Sequence, residues 1–161
     1  MTAIVYLGQT FHPLPACGAT SSVYESEDRL LVLKMVQNFH EYDIYEREKT
    51  LLQRLQAYAW CPRLVQCDDE KKWLLLEHCG TPIHRADSRA VDRAGLRAQF
   101  DAILADLASE EVEHNDIKCG ELLLDARGKL RLCNFGWGSC RGSHALTPGM
   151  WDGENPWDPT S

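Results

Sequence analysis

The sequence has no CxxC pair, no basic stripe and no long apolar run. Its seven cysteines stand at 17, 61, 67, 79, 119, 133 and 140. An odd number at irregular spacing excludes a zinc ribbon or a disulfide-stapled scaffold and points to reduced thiols, several of them in apolar strands. Seventeen Lys plus Arg face 24 Asp plus Glu, a formal net charge of -7. Binding along a phosphate backbone needs a concentrated cationic surface, so no nucleic-acid partner is expected. No segment reaches the roughly 18 consecutive apolar residues of a spanning helix, so no membrane is expected either. Met1 to Gly8 has neither the basic region nor the apolar core of a secretion signal. The expectation is a cytoplasmic protein. No internal repeat is visible.

What is present is an ordinary soluble composition, 44% apolar and 25% charged over 161 residues, which allows one real core and little room for two full domains. Ile4 to Leu7 reads as a short strand followed by a turn rich in Pro and His. Residues 16–24 begin small and polar and become strand-like. Glu27-Asp28-Arg29 is a tight turn, and Leu30 to Val36 is a strong strand with one intruder, Lys34. Residues 41–58 read as a helix whose apolar stripe is Ile44, Leu51, Leu52 and Leu55. Glu48 lies on that stripe, where a carboxylate is either near an edge or paired with a buried cation. Cys61-Pro62 ends this unit. Strands are expected at Arg63 to Gln66 and Trp73 to Glu77, around the turn Asp68 to Lys71. Gly80-Thr81-Pro82 is the best boundary between two lobes. Residues 88–109 read as a second helix that buries Leu96, Phe100, Ile103, Leu104 and Leu107. His114 to Glu121 reads as a polar loop. Leu122 to Leu124 and Leu130 to Cys133 form a hairpin over Asp125 to Gly128, which should bring Asp116, Glu121 and Asn134 close together. Beyond Gly136 the chain is rich in Gly, Pro, Trp and Ser, with Trp151 and Trp157 as expected anchors of a tail.

The order of these elements and their polar intruders resembles the protein-kinase-like superfamily over roughly residues 14–138. His114-Asn115-Asp116-Ile117-Lys118-Cys119-Gly120-Glu121-Leu122-Leu123-Leu124-Asp125 resembles the catalytic loop, and Asn134-Phe135-Gly136 stands where that family has its metal-binding Asp-Phe-Gly. Leu31-Val32-Leu33-Lys34 resembles the strand that carries the ATP-binding lysine, and Glu48 its helix partner. Leu76-Glu77-His78-Cys79-Gly80 looks like the hinge that receives adenine. Ala16-Cys17-Gly18-Ala19-Thr20-Ser21-Ser22-Val23 looks like a degraded glycine-rich loop.

The resemblance implies an α+β, protein-kinase-like fold. It would consist of a five-stranded antiparallel N-terminal sheet with one main helix (residues 1–79) and a strongly reduced C-terminal lobe with the catalytic hairpin and a tail (residues 80–161). It implies an ATP and Mg²⁺ site in which Gly18, Val23, Lys34, Glu48, Glu77 and Cys79 bind nucleotide and Glu121 and Asn134 hold the metal. Asp116, Lys118 and His114 would be the catalytic candidates. Phosphoryl transfer needs charge neutralisation and positioning, which is why such residues recur. Asp116 would orient a substrate hydroxyl, and Lys118 would steady the transferred group.

The departures are specific. The family has Asn at position 121 and Asp at 134, so carboxylate and amide have changed places. Asn115 replaces the arginine that pairs with a phosphorylated activation loop. Only 25 residues follow Gly136, with no recognisable peptide-binding platform.

Three functions follow as expectations. One is an atypical kinase acting on a small hydroxyl substrate. Another is a pseudokinase serving as a binding or regulatory module for a protein partner. The last is a kinase scaffold reused for nucleotide-independent biosynthetic chemistry, with Asp116 and His114 or Glu121 as acid and base. Taken singly, each residue also has a plainer explanation. Lys34 can snorkel at a sheet edge and Glu48 can be solvated. Asp116 can cap a turn, His114 can simply pack, and Gly18, Glu121 and Asn134 can be ordinary loop residues. Cys17, Cys79, Cys119 and Cys133 fall near the expected cleft with nothing to activate any of them.

Overall fold

A computed structural model describes residues 2–15, 20–38, 42–86, 92–118 and 120–140. Strands β1 (Ile4–Tyr6), β2 (Gln9–Pro13), β3 (Ser21–Ser26), β4 (Leu31–Val36), β5 (Leu64–Asp68) and β6 (Trp73–Glu77) form one antiparallel sheet in the order β1-β2-β3-β4-β6-β5. The sheet therefore has six strands, not five. The added strand is β2, in the stretch whose Pro and His residues read as a turn. Its Pro13 tolerates the place because it ends the strand. The β1–β2 turn has positive φ at both Leu7 and Gly8, the tight two-residue form that matches the twist of paired strands.

The sheet is strongly curled. Three strands separate β1 from β6, yet the rings of Tyr6 and Trp73 meet edge-to-face at 5.1 Å. The curl closes over a small core of Phe11, Tyr24, Leu33 and Leu75. The opposite face carries Val36, Leu74 and Leu76 and packs on helix α1 (Ile44–Arg54). Each fully buried Leu or Ile there contributes about 1.5–3 kcal/mol.

Helix α1 is shorter than the apolar stripe suggested. Asp43 caps its N-terminus by accepting from the Glu46 N–H at 3.0 Å. At the other end the Gln56 side chain donates to the Leu52 and Pro62 carbonyls, both at 2.9 Å, and accepts from the Leu64 N–H. These bonds turn the chain out of the helix before residue 58. Helix α2 (Arg93–Ser109) starts at its Asp92 cap and buries Leu96, Phe100, Ile103 and Leu107, with Leu104 half-buried.

The remaining strands are short. β7 (Thr81–Pro82) pairs with β9 (Leu122–Leu124), which pairs with β10 (Leu130–Leu132). β8 (Val112–Glu113) pairs with β11 (Ser139–Cys140). A single 3-10 turn, Ile83–Arg85, follows β7.

The architecture is thus α+β, an N-terminal antiparallel sheet followed by helices and a smaller, less helical C-terminal part. Gly80 marks the change of sheet. Its φ is +105°, and a Cβ there would overlap the Leu124 carbonyl. One cluster runs from Val36 and Leu52 through Phe100 to Leu132 and Phe135. Among the described residues, no helix is long and apolar enough to cross a membrane. Gly18, Cys17, Cys119, Trp151 and Trp157 lie outside the described residues.

Candidate functional site

Lys34 sits on β4, an inner strand, and not on an edge from which it could snorkel. It lies directly opposite Val23 on β3 and Leu74 on β6, so these three side chains share the face turned toward α1. Lys34 is 6% exposed and Glu48 1%. Lys34 Nζ reaches Glu48 Oε1 at 2.7 Å and Asn134 Oδ1 at 3.0 Å, joining the sheet, α1 and the chain after β10. Burial pulls the ammonium pKa down, but Glu48, with help from Glu121 and Cys133, outweighs it and holds Lys34 above its ordinary value. An ammonium has three donors, and among the described residues these two acceptors use two of them. Glu48 Oε2 is buried with no hydrogen-bond partner among the described residues. It faces the bare Cα of Gly136, where a Cβ would lie 3.7 Å from it and 2.6 Å from Ile44 Cγ2.

The segment read as a polar loop is largely buried: His114, Asp116 and Ile117 are all in the interior. The His114 ring fixes its shape. Nδ1 accepts from the Asp116 N–H at 3.2 Å, so Nε2–H is the donor to the Cys133 carbonyl at 2.8 Å, and the ring packs edge-on against Phe135. Burial drives its pKa down to about 4, so the imidazole stays neutral at pH 7. Both ring nitrogens are engaged, which makes His114 a positioning residue and leaves neither nitrogen free for proton transfer. Lys118 Nζ pairs with Asp116 Oδ1 at 3.2 Å.

The hairpin brings Glu121 beside Asn134. Cys133 N–H donates to the Glu121 carbonyl at 3.0 Å, which sets the Glu121 and Asn134 side chains near each other. Burial pushes the Glu121 carboxyl up to about 7; Asn134 and Lys34 oppose this, and Asp116 adds to it. Asn134 has a φ of +67°, a left-handed conformation that Asn tolerates better than most residues. Burial also pushes the neighbouring Cys133 thiol well above its ordinary value, with Glu121 adding to the rise.

Glu121 and Asn134 offer hard oxygen donors, the kind Mg²⁺ takes. Their present arrangement suits the ion poorly. The Asn134 amide oxygen is turned to the Lys34 ammonium. Among the described residues, no group of three His, Cys, Asp or Glu is placed to hold a metal.

The expected hinge residues have other engagements. The Glu77 carboxylate accepts from Arg131 Nη2 and from the Arg63 N–H. The Cys79 thiol is buried, pushed up to about 12 by desolvation, and donates toward the Glu77 carbonyl. Arg131 joins the site from a position with no signal in the sequence. Alternation in Leu130-Arg131-Leu132 places it on the face opposite two core leucines, which in an isolated hairpin would be solvent. Here that face is covered, and Arg131 also reaches the Trp60 and Cys61 carbonyls and Asp125.

No protein-family model matches the chain, and no curated protein matches it.

Proposed function

We propose that this chain is a protein-kinase-like nucleotide-binding protein. Its ligand lies between the sheet face of Val23 and Lys34 and the segment 116–134, beside the connection Glu77 to Gly80. The observation that carries this reading is the buried Lys34, held by Glu48 and Asn134 with one donor left over for an anionic ligand. A cation fixed in this way neutralises phosphate charge without reorganising, which is the task phosphate binding sets.

The form favoured is a pseudokinase that binds nucleotide without metal-dependent turnover, because the Asn134 amide oxygen is turned to Lys34. A second form is phosphorylation of a small hydroxyl compound. The buried Asp116 with Lys118 at 3.2 Å supports it, since this carboxylate could orient a hydroxyl.

Thermal unfolding with ATP or ADP, in EDTA and then with Mg²⁺ or Mn²⁺, tests the proposal. Binding at ten times Kd adds about 1.4 kcal/mol and raises Tm. The expected result is a rise in EDTA that Lys34→Met abolishes. No rise with any nucleotide and ion would overturn the nucleotide reading. Steady ATP turnover lost in Asp116→Asn would replace the first form by the second.

A further inference from the structure

The Lys34–Glu48 pair depends on where α1 stands, because Glu48 lies on that helix. Asn115 lies between the site residues His114 and Asp116. Its Nδ2 donates to the Trp137 carbonyl at 3.0 Å and to Ser139 Oγ at 3.3 Å, so both amide N–H groups are used. Its φ is +69°. The segment it holds is pressed against α1 by two glycines. A Cβ at Gly136 would meet Ile44 Cγ2 at 2.6 Å, and one at Gly138 would meet Leu51 Cδ1 at 2.5 Å. From α1, Arg47 Nη1 donates to the Gly138 carbonyl at 3.4 Å, while Tyr42, just before the helix, meets the Trp137 ring at 5.7 Å. The β8–β11 ladder anchors the far end of the segment. Ile44, Arg47, Glu48 and Leu51 fall three or four apart, so the surface that touches 136–138 is continuous with the one that presents Glu48.

We propose that Asn115 is a positioning residue for the Lys34–Glu48 ion pair: it clamps the segment Gly136 to Ser139 against α1 and so couples the loop of Asp116 to the helix of Glu48. The clamp uses uncharged donors and needs no added phosphate, so the pair is held assembled in the unmodified chain. The inference concerns the same site as the proposed function, but its test contains no nucleotide, so either can fail without the other.

The probe is acetylation of the full chain by a short pulse of acetic anhydride, mapped by mass spectrometry as the ratio of Lys34 to the exposed Lys129. In the unaltered protein Lys34 is buried, paired and protected. Asn115→Gly keeps the positive φ and removes only the side chain. Asn115→Asp keeps the shape and removes both donors. Each should raise the Lys34 ratio about tenfold, as expected for losing two hydrogen bonds that close a local opening. Leu107→Ala, a core substitution in α2, reports general destabilisation and should leave the ratio unchanged. An unchanged ratio in folded Asn115→Gly, or an equal rise in Leu107→Ala, would overturn the proposal. If both Asn115 variants fail to fold, Ser139→Ala decides: a rise of about threefold, the share of one lost bond, supports the clamp, and no rise overturns it.

Discussion

Removing the Lys34 ammonium tests the centre of the site most directly. Lys34→Met keeps the length of the side chain and deletes the charge. Glu48 then has both oxygens buried without a partner, since Oε2 already has none among the described residues. Breaking a buried pair from one side costs about 3–5 kcal/mol, because the remaining charge is stranded. The double variant Lys34→Met/Glu48→Leu strands no charge and leaves only the half-buried Asn134 amide oxygen without its donor. It should return to within about 1 kcal/mol of the parent, since apolar replacements of buried pairs are often neutral or better. Glu48→Leu strands the ammonium at a similar cost, so the coupling in the double-mutant cycle is at least about 5 kcal/mol. Urea unfolding followed by tryptophan fluorescence reads all four proteins.

The same pair sets an alkaline limit. Because the folded Lys34 pKa is raised, its contribution is fully present below the ordinary value of 10.5 and is lost as pH rises through the folded value. Parent stability should fall above about pH 10.5, and the double variant should lack that component. A single variant costing less than about 1 kcal/mol, or a double no more stable than the single, would refute the buried-pair reasoning.

Two further outcomes follow from the geometry. The Glu121 carboxyl is raised from 4.5 to about 7, so its contribution is full below the lower value and is lost as pH rises to the upper one; His114 is lowered from 6.5 to about 4, so its contribution is present above 6.5 and is lost as pH falls. The two slopes oppose each other, and the parent should be nearly flat between about pH 4.5 and 6.5. Glu121→Gln should uncover the His114 slope as a stability that rises with pH; a Glu121→Gln profile that matches the parent would contradict the assignment. Gly80→Ala should cost about 2–4 kcal/mol, because its Cβ would meet the Leu124 carbonyl. Gly128→Ala, also at positive φ but in open space, should cost only about 1–2 kcal/mol, so equal melting shifts in the two would show that the close approach does not matter.

Much of the framework was legible in local patterns. The strand around Lys34, the helix stripe of Ile44, Leu51 and Leu52, the α2 face and the Leu122–Leu132 hairpin all follow from periodicity, because one buried face imposes period 2 or 3.6 on a chain. Helix ends were less legible. Gln56 terminates α1 by bonding Pro62 and Leu64, and nothing within the helix reveals that. The Pro and His residues of β2 give it the composition of a turn, while its pairing with Ser26, Glu25 and Tyr24 is a long-range fact.

The sequence by itself determined that Glu48 could not be an ordinary core residue, since an apolar stripe either excludes a carboxylate or supplies it with a cation. The resemblance already implied that the cation is Lys34, 14 residues away, and the two side chains do meet; tertiary structure alone decided that Asn134, 100 residues away, completes the group. It alone decided that Arg131 is buried, that both His114 nitrogens are occupied, and that Asn115 reaches the segment under α1. The reason is physical. Periodicity encodes which face of an element avoids water, whereas hydrogen-bond partners and pKa shifts depend on which other elements fold back onto that face.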